Sequence, residues 1–246
     1  MADPRIRSPL LLPLIGAVLL LAGLGGGWAM ASRGGDKSLP DDFDQRVHSY
    51  IVSHPEVLVE AAEALRSQGG ARQLGEIADR VKTAYPGAVL GNPKGKVTLV
   101  EFTDFACTFC RGSVADVEAL IAANPDLRVV VRELPIIAPT SPDAARWGLA
   151  AAEQGKYPAF HKAMFAAGRT DLANIEAAAR VAGLDLDRAR KVITDPKVNA
   201  EIASNLEMAR KLQISGTPSW VAGKQLIQGA VGREALAKAL ISASES

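Results

Sequence analysis

The sequence predicts an α/β fold in which a βαβ unit and a ββα unit are separated by an all-helical insertion. Three observations carry that expectation. Apolar, β-rich runs at residues 97–102 and 127–131 flank a helical pattern at residues 113–123, where Val114, Val117, Leu120 and Ile121 share one side. Residues 141–212 are Ala-rich and helical throughout, broken at Gly155, Gly168, Gly183 and Pro196 into four or five helices. Two short strand signals, residues 219–222 and 225–228, then meet at a Gly223-Lys224 turn, and a last helix over residues 233–242 completes the second unit.

Ahead of this fold, Arg5 and Arg7 precede residues 9–31, an almost wholly apolar run with no charge before Arg33. Such a run is a membrane-targeting segment rather than part of the core. Two fates stay open. Ala29-Met30-Ala31 before Ser32 suits cleavage of a signal peptide over residues 1–32, whereas about 20 apolar residues also suffice for a retained anchor. In both cases everything after residue 32 is expected on the exported side, where disulfides are permitted.

Residues 33–41 are small, polar or turn-forming and read as a linker. Helical spacing follows, with Val47, Ile51, Leu58, Ala62 and Leu65 on one face, Pro55 opening a second helix, and the pattern ending at Gly69-Gly70. That face can pack on the main domain or form an oligomer seam through residues 42–68. A short helix over residues 74–84 leads into Pro86-Gly87. A boundary is therefore expected near residue 86, with a helical segment at 42–85 and the main domain at 86–246, its insertion spanning about residues 140–213.

A chain of 246 residues, 48% hydrophobic and with a net charge of +1, has room for one sizeable core. Near-neutral charge suggests neither nucleic acid nor acidic substrates as partners.

The chain has two cysteines, Cys107 and Cys110, in VEFTDFACTFCRG. As a structural staple they would close a ring of four residues, which the loop-entropy account rewards little. As a metal site they lack a second pair, because His48, His54 and His161 fall at no close ligand spacing. As a redox pair they have positional physics in their favour. Cys107 stands where a strand gives way to a helix, so unpaired backbone N–H groups and the helix dipole favour its thiolate. Cys110, one turn further, is expected to be the more buried partner. A stabilised thiolate both attacks disulfides and leaves from them readily.

Two further features fit the redox reading. Gly216-Thr217-Pro218 directly precedes a short strand, where a cis X-Pro bond would turn the Thr217 backbone towards the cysteines, to pair with an extended substrate chain; taken alone it is an ordinary turn proline. Glu101 lies in an apolar strand six residues before Cys107, so it either faces water at a sheet edge or titrates beneath the site, exchanging a proton with Cys110 through water. Asp104 reads as a turn or capping residue, and Arg111 as a solvated helix charge that adds positive potential near the thiolate.

The segments EFTDFACTFCRG, ELPIIAPTS, AARWGLAAAEQGKYPAFHKAMF and ISGTPSWVAGKQLIQGA together resemble the DsbA-type thiol:disulfide oxidoreductases of the bacterial envelope, from about residue 88 to the C-terminus. FDQRVHSYIVSHPEVLVEAAEAL is similar to the leading helical segment of the ScsC/Com1-like branch, in which such segments can mediate oligomerisation. The resemblance implies a thioredoxin fold, with Cys107 as nucleophile, Cys110 as resolving cysteine, Thr217 and Pro218 as the cis-proline loop and Glu101 as the buried acid. The departure is Thr108-Phe109 between the cysteines, in place of the Pro-His of the strongest oxidases. Without that imidazole the disulfide is expected to be less oxidising, which leaves oxidase against isomerase or reductase open.

The expected function is disulfide exchange with cysteine-containing exported proteins in the periplasm through a Cys107-Cys110 disulfide, with tethering by residues 9–31 left open. No diffusible cofactor and no metal is expected, but a membrane redox partner must reset the pair. The alternative is a copper-binding or chaperone-like envelope protein, in which the same thiols hold soft Cu(I).

Overall fold

A computed structural model describes residues 42–244. The expected membrane segment at 9–31 and the linker at 33–41 lie outside the described residues. No helix among the described residues is long and apolar enough to cross a membrane.

The chain divides into two compact units between Glu60 and Ala61. In the first, α1 (Phe43–Ser53) buries none of its residues, and ends ahead of Pro55, which cannot continue its hydrogen-bond ladder. Phe43, Val47, Tyr50, Val52, Leu58 and Val59 all stand exposed.

The helix that follows departs from expectation. A single α2 (Glu56–Lys82) runs through Gly69-Gly70, where two helices with a break were expected. Glycine in a helix interior costs only about 1 kcal/mol, and no proline stands there to remove a backbone donor. The expected boundary near residue 86 also differs from the observed division. Leu74, Ile77 and Val81 on the last turns of α2 are buried in a cluster with Val100, Phe102, Val130 and Leu134, so this stretch belongs to the core of the second unit.

The second unit is built on a five-stranded sheet in the order β1-β3-β2-β4-β5, with β1 (Val89–Gly91), β2 (Val97–Thr103), β3 (Leu127–Glu133), β4 (Ser219–Ala222) and β5 (Gln225–Gln228). Only β2 and β3 run parallel, joined by α3 (Thr108–Ala123). Strand β4 pairs antiparallel with β2 and β5 antiparallel with β4, and α9 (Gly232–Ser244) follows the hairpin. Strand β1, pairing antiparallel with β3, was not expected: three residues between Pro86-Gly87 and Asn92 are too few to show a period.

The expected insertion is present as α4 (Ser141–Glu153), α5 (Tyr157–Ala167), α6 (Leu172–Val181), α7 (Leu186–Val192) and α8 (Pro196–Lys211). Asp171, Asp185 and Asp195 start the last three, each accepting from a backbone N–H of the first turn that the helix itself leaves unpaired.

Alternation along the two central strands sorts side chains between the faces. Val100 and Phe102 of β2 with Val130 of β3 face α2 and α8, whereas Leu99 with Val129 and Val131 face α3 and α9. By the same period Glu101, Thr103 and Glu133 fall on the α3 face and Arg132 on the α2 face. Arg132, almost wholly buried, donates to the backbone carbonyls of Arg80, Val81 and Thr83, to Glu201 Oε1 at 2.8 Å and to Asn205 Oδ1 at 3.3 Å. These bonds satisfy carbonyls that the C-terminus of α2 leaves without helical partners, and tie them to β3 and α8.

Candidate active site

The end of β2 leads through a turn held by Asp104. Its carboxylate accepts from Ala106 N at 2.8 Å, Ile136 N at 2.8 Å, Ile137 N at 2.9 Å and Ser141 Oγ at 2.8 Å, so the turn before Cys107 and the loop after β3 share one buried anchor. Cys107 then caps α3: its backbone is extended and its Sγ accepts from Cys110 N at 3.4 Å, pairing an N–H of the first turn. The same Sγ donates to the Thr217 carbonyl oxygen at 3.2 Å. The Thr217-Pro218 bond is cis.

Both cysteines are free thiols, Cys107 4% exposed and Cys110 not exposed at all. Burial pushes the Cys110 thiol well above its ordinary range, and nearby Glu101 adds to the effect. Glu101 is itself buried within the sheet, where loss of hydration pushes its carboxyl up to about 8. Of the two positions expected for it, the structure shows the one beneath the site and not the wet sheet edge.

Arg111 is half-buried rather than solvated, donating from Nη2 to the Gly168 carbonyl at 2.9 Å and so joining α3 to the end of α5. Phe105 packs under the turn against Phe160 and Phe165, with ring centroids 5.6 and 5.1 Å away. Phe109, between the cysteines, projects into solvent at 68% exposure.

Glu133, Tyr157, Thr103 and His161 also belong to this region and were not singled out for it from the sequence. Tyr157 Oη donates to Glu133 Oε1 at 2.6 Å in the core. Gly148 passes so close that a Cβ there would meet Glu133 Oε1 at 2.9 Å, which only glycine allows without a shift. His161 packs on Phe165 at 4.8 Å, and burial lowers its imidazole to about 4. Glu133 carried a legible signal, the same as Glu101: a carboxylate inside an apolar strand. Ending that strand at Val131 hid it.

His48 and His54 lie on or beside α1, while His161 lies in the second unit, and no three His, Cys, Asp or Glu side chains among the described residues group as metal ligands do. The arrangement offers a helix-start thiol, a second thiol beneath it, a buried acid that loss of hydration lifts to about 8, and a backbone carbonyl against the first sulfur.

Comparison with known proteins agrees with this chemistry. Residues 98–241 match the DSBA-like thioredoxin domain family, and residues 41–72 match the family described as copper resistance protein ScsC N-terminal domain. Among solved structures, a thioredoxin-like oxidoreductase from Silicibacter pomeroyi shares 42% identity at a TM-score of 0.62, over 64% of this chain and 92% of that one. The thiol-disulfide exchange protein alpha-DsbA2 from Wolbachia pipientis shares 25% identity at a TM-score of 0.65, over 70% of this chain and 95% of its own. A curated relative, the Na(+)/H(+) antiporter NhaA 3 of Salinispora tropica, is 33% identical over 162 residues, 64% of this chain and 25% of the antiporter. The chain thus matches only about a quarter of the length of such curated relatives.

Proposed function

The chain belongs to the DSBA-like thioredoxin domain family, and we propose that it is a thiol:disulfide oxidoreductase that exchanges disulfides with exported proteins through Cys107 and Cys110. The observation that carries the assignment to these residues is the environment of Cys107 Sγ: at a helix start, against the Thr217 carbonyl, with Cys110 one turn below.

In the oxidising direction, a substrate thiolate attacks Cys107 of the Cys107-Cys110 disulfide, forming a mixed disulfide and releasing Cys110 as a thiolate that takes a proton from Glu101. A second substrate thiolate attacks the substrate sulfur, so the substrate leaves oxidised and Cys107 leaves reduced. In the reducing or isomerising direction, the Cys107 thiolate attacks a substrate disulfide and expels one substrate thiolate. Cys110 then gives its proton to the Glu101 carboxylate and attacks Cys107, expelling the second substrate sulfur. The partner that resets the pair decides the direction, and a membrane redox protein on the exported side fills that role. Thr217 presents its backbone to the substrate chain beside Cys107, as in strand addition.

The apolar run at residues 9–31 supports export, with that segment either removed or kept as a tether. The exposed apolar residues of α1 and the first turns of α2 support self-association.

In Cys110→Ser, mixed disulfides with cellular proteins are expected to accumulate through Cys107 on non-reducing gels, and in Cys107→Ser none. Absence of trapped protein in Cys110→Ser overturns the assignment. One observation favours a second reading, capture of Cu(I) by the two thiols: the family matched by residues 41–72 is named for copper resistance. It requires copper to co-purify with the wild type and to be lost in Cys107→Ser.

A further inference from the structure

A cavity of about 120 Å³ lies between β1, α3 and α5. The most deeply buried residues lining it are Leu90, Val117 and His161, at 7%, 2% and 4% exposure, and half-buried Val114 and Ile121 of α3 add further apolar wall. At the rim Lys162 Nζ of α5 meets Glu118 Oε1 of α3 at 2.9 Å, so these two lining charges are paired with each other.

His161 is the polar group among the buried lining residues. Its Nε2 is out of contact with solvent and has no hydrogen-bond partner among the described residues. The rings around it supply none: Phe165 at 4.8 Å and Phe105 at 6.0 Å carry no acceptor, and Tyr157 at 5.9 Å gives its hydroxyl to Glu133. A buried ring nitrogen left unpaired is destabilising, and native folds keep few such groups. Burial lowers the imidazole to about 4, so near neutral pH it is uncharged, with one nitrogen a donor and the other an acceptor.

Three properties of an occupant follow. A single hydroxyl can pair with either kind of imidazole nitrogen. Water is a poor match, because a buried water needs two to four polar partners and the side chains of Leu90, Val114, Val117 and Ile121 offer none. An apolar body of one ring is a good match, because an engineered aliphatic cavity of about 150 Å³ takes up benzene. An anion would face an uncharged imidazole and a lysine already paired with Glu118.

We propose that this cavity is a binding site for a small neutral aromatic alcohol, of which phenol is the simplest, with its ring against Val117 and Ile121 and its hydroxyl bonded to His161. The site does not depend on the redox reading. It does adjoin the redox pair, because Val114, one turn of α3 beyond Cys110, packs against the cluster that holds Cys107 and Cys110. A bound ring therefore braces the helix that carries both thiols against the helical insertion.

The test uses the full chain, with phenol as the probe and toluene, of the same shape with a methyl in place of the hydroxyl, as its control. Phenol is expected to cause saturable NMR shifts in the methyl groups of Leu90, Val117 and Ile121 and in the imidazole nitrogens of His161, with a dissociation constant of about 1 mM or below. His161→Leu keeps an apolar lining without the nitrogens, and the ratio of phenol to toluene affinity should fall about tenfold. Ile121→Trp fills the cavity from its wall and should abolish the shifts for both compounds; it carries the test alone if His161→Leu does not fold. Absence of saturable shifts at these residues in the wild type overturns the proposal, as do shifts that persist in a folded Ile121→Trp protein. An unchanged phenol-to-toluene ratio in folded His161→Leu overturns it too, as does a crystal grown in phenol that shows only water at His161.

Discussion

Cys107 Sγ donates to the carbonyl oxygen of Thr217 at 3.2 Å. That contact brings the start of α3 against the segment that enters β4, so a chain pairing with the Thr217 backbone would present its own sulfur beside Cys107. The less deeply buried sulfur is thus also the one beside the Thr217 backbone, while Cys110 is fully buried.

The two thiols should react in a fixed order. In the reduced protein a small alkylating reagent is expected to modify Cys107 first and to spare Cys110 until the fold is lost, because Cys110 is fully buried and its thiol is pushed up by burial. Peptide mass mapping over time reads this directly, and equal labelling from the start would refute it.

Glu101 should make the protein less stable as pH rises. Burial lifts its carboxyl from the ordinary 4.5 to about 8, so below pH 4.5 it is protonated in both folded and unfolded chains. Between pH 4.5 and 8 the unfolded chain releases the proton while the folded chain keeps it, and stability falls until the folded group also ionises. Glu101→Gln removes this penalty and is expected to stabilise by roughly 4 kcal/mol at pH 8 and very little at pH 4.5, as urea titrations at the two pH values would show.

His161 should act at the other end of the scale and with the opposite sign. Burial lowers its imidazole from 6.5 to about 4, so the unfolded chain binds a proton between those values and the folded chain does not. The stability it allows is present above pH 6.5 and lost as pH falls through 4. His161→Phe should remove roughly 3 kcal/mol of that acid sensitivity, the larger ring reaching into the cavity of about 120 Å³ beside it. An unchanged difference between urea midpoints at pH 7 and pH 4 would show that the imidazole is protonated inside the fold.

Arg132 should hold the last turn of α2. Arg132→Met leaves the carbonyls of Arg80, Val81 and Thr83 without their donor and Glu201 without its cation, an expected loss of roughly 3–5 kcal/mol. Hydrogen exchange should show the change concentrated at residues 80–84, and a uniform change across the sheet would speak against a local clamp.

The exposed residues of α1 and the first turns of α2 should associate. Tyr50→Glu with Leu58→Glu places charge among Phe43, Val47 and Val59 and is expected to turn an oligomer into a monomer by light scattering. A mass that is the same before and after substitution removes the seam.

Much of the candidate site was legible because its signals are local. A cysteine at a strand-to-helix junction, a carboxylate in an apolar run and a Thr-Pro before a strand each need only a few neighbours to be noticed, and β4 and β5 fall where the alternation and the Gly223 turn put them. The length of α2 was not legible, because Gly69-Gly70 weakens a helix by an amount that packing of Leu74, Ile77 and Val81 readily offsets. Strand β1 was missed for want of length, and Glu133 because the strand holding it was ended two residues early.

The amino-acid sequence by itself determined the order of elements and the residues able to do redox chemistry, since hydrophobic period, turn residues and cysteine spacing act over a few positions of chain. Tertiary structure alone decided that Arg132 closes α2, and that Glu101, Thr103, Glu133 and Tyr157 form one buried polar patch. Those outcomes depend on strand pairing and on which polar groups are removed from water together, and both are set by contacts between residues far apart in the chain.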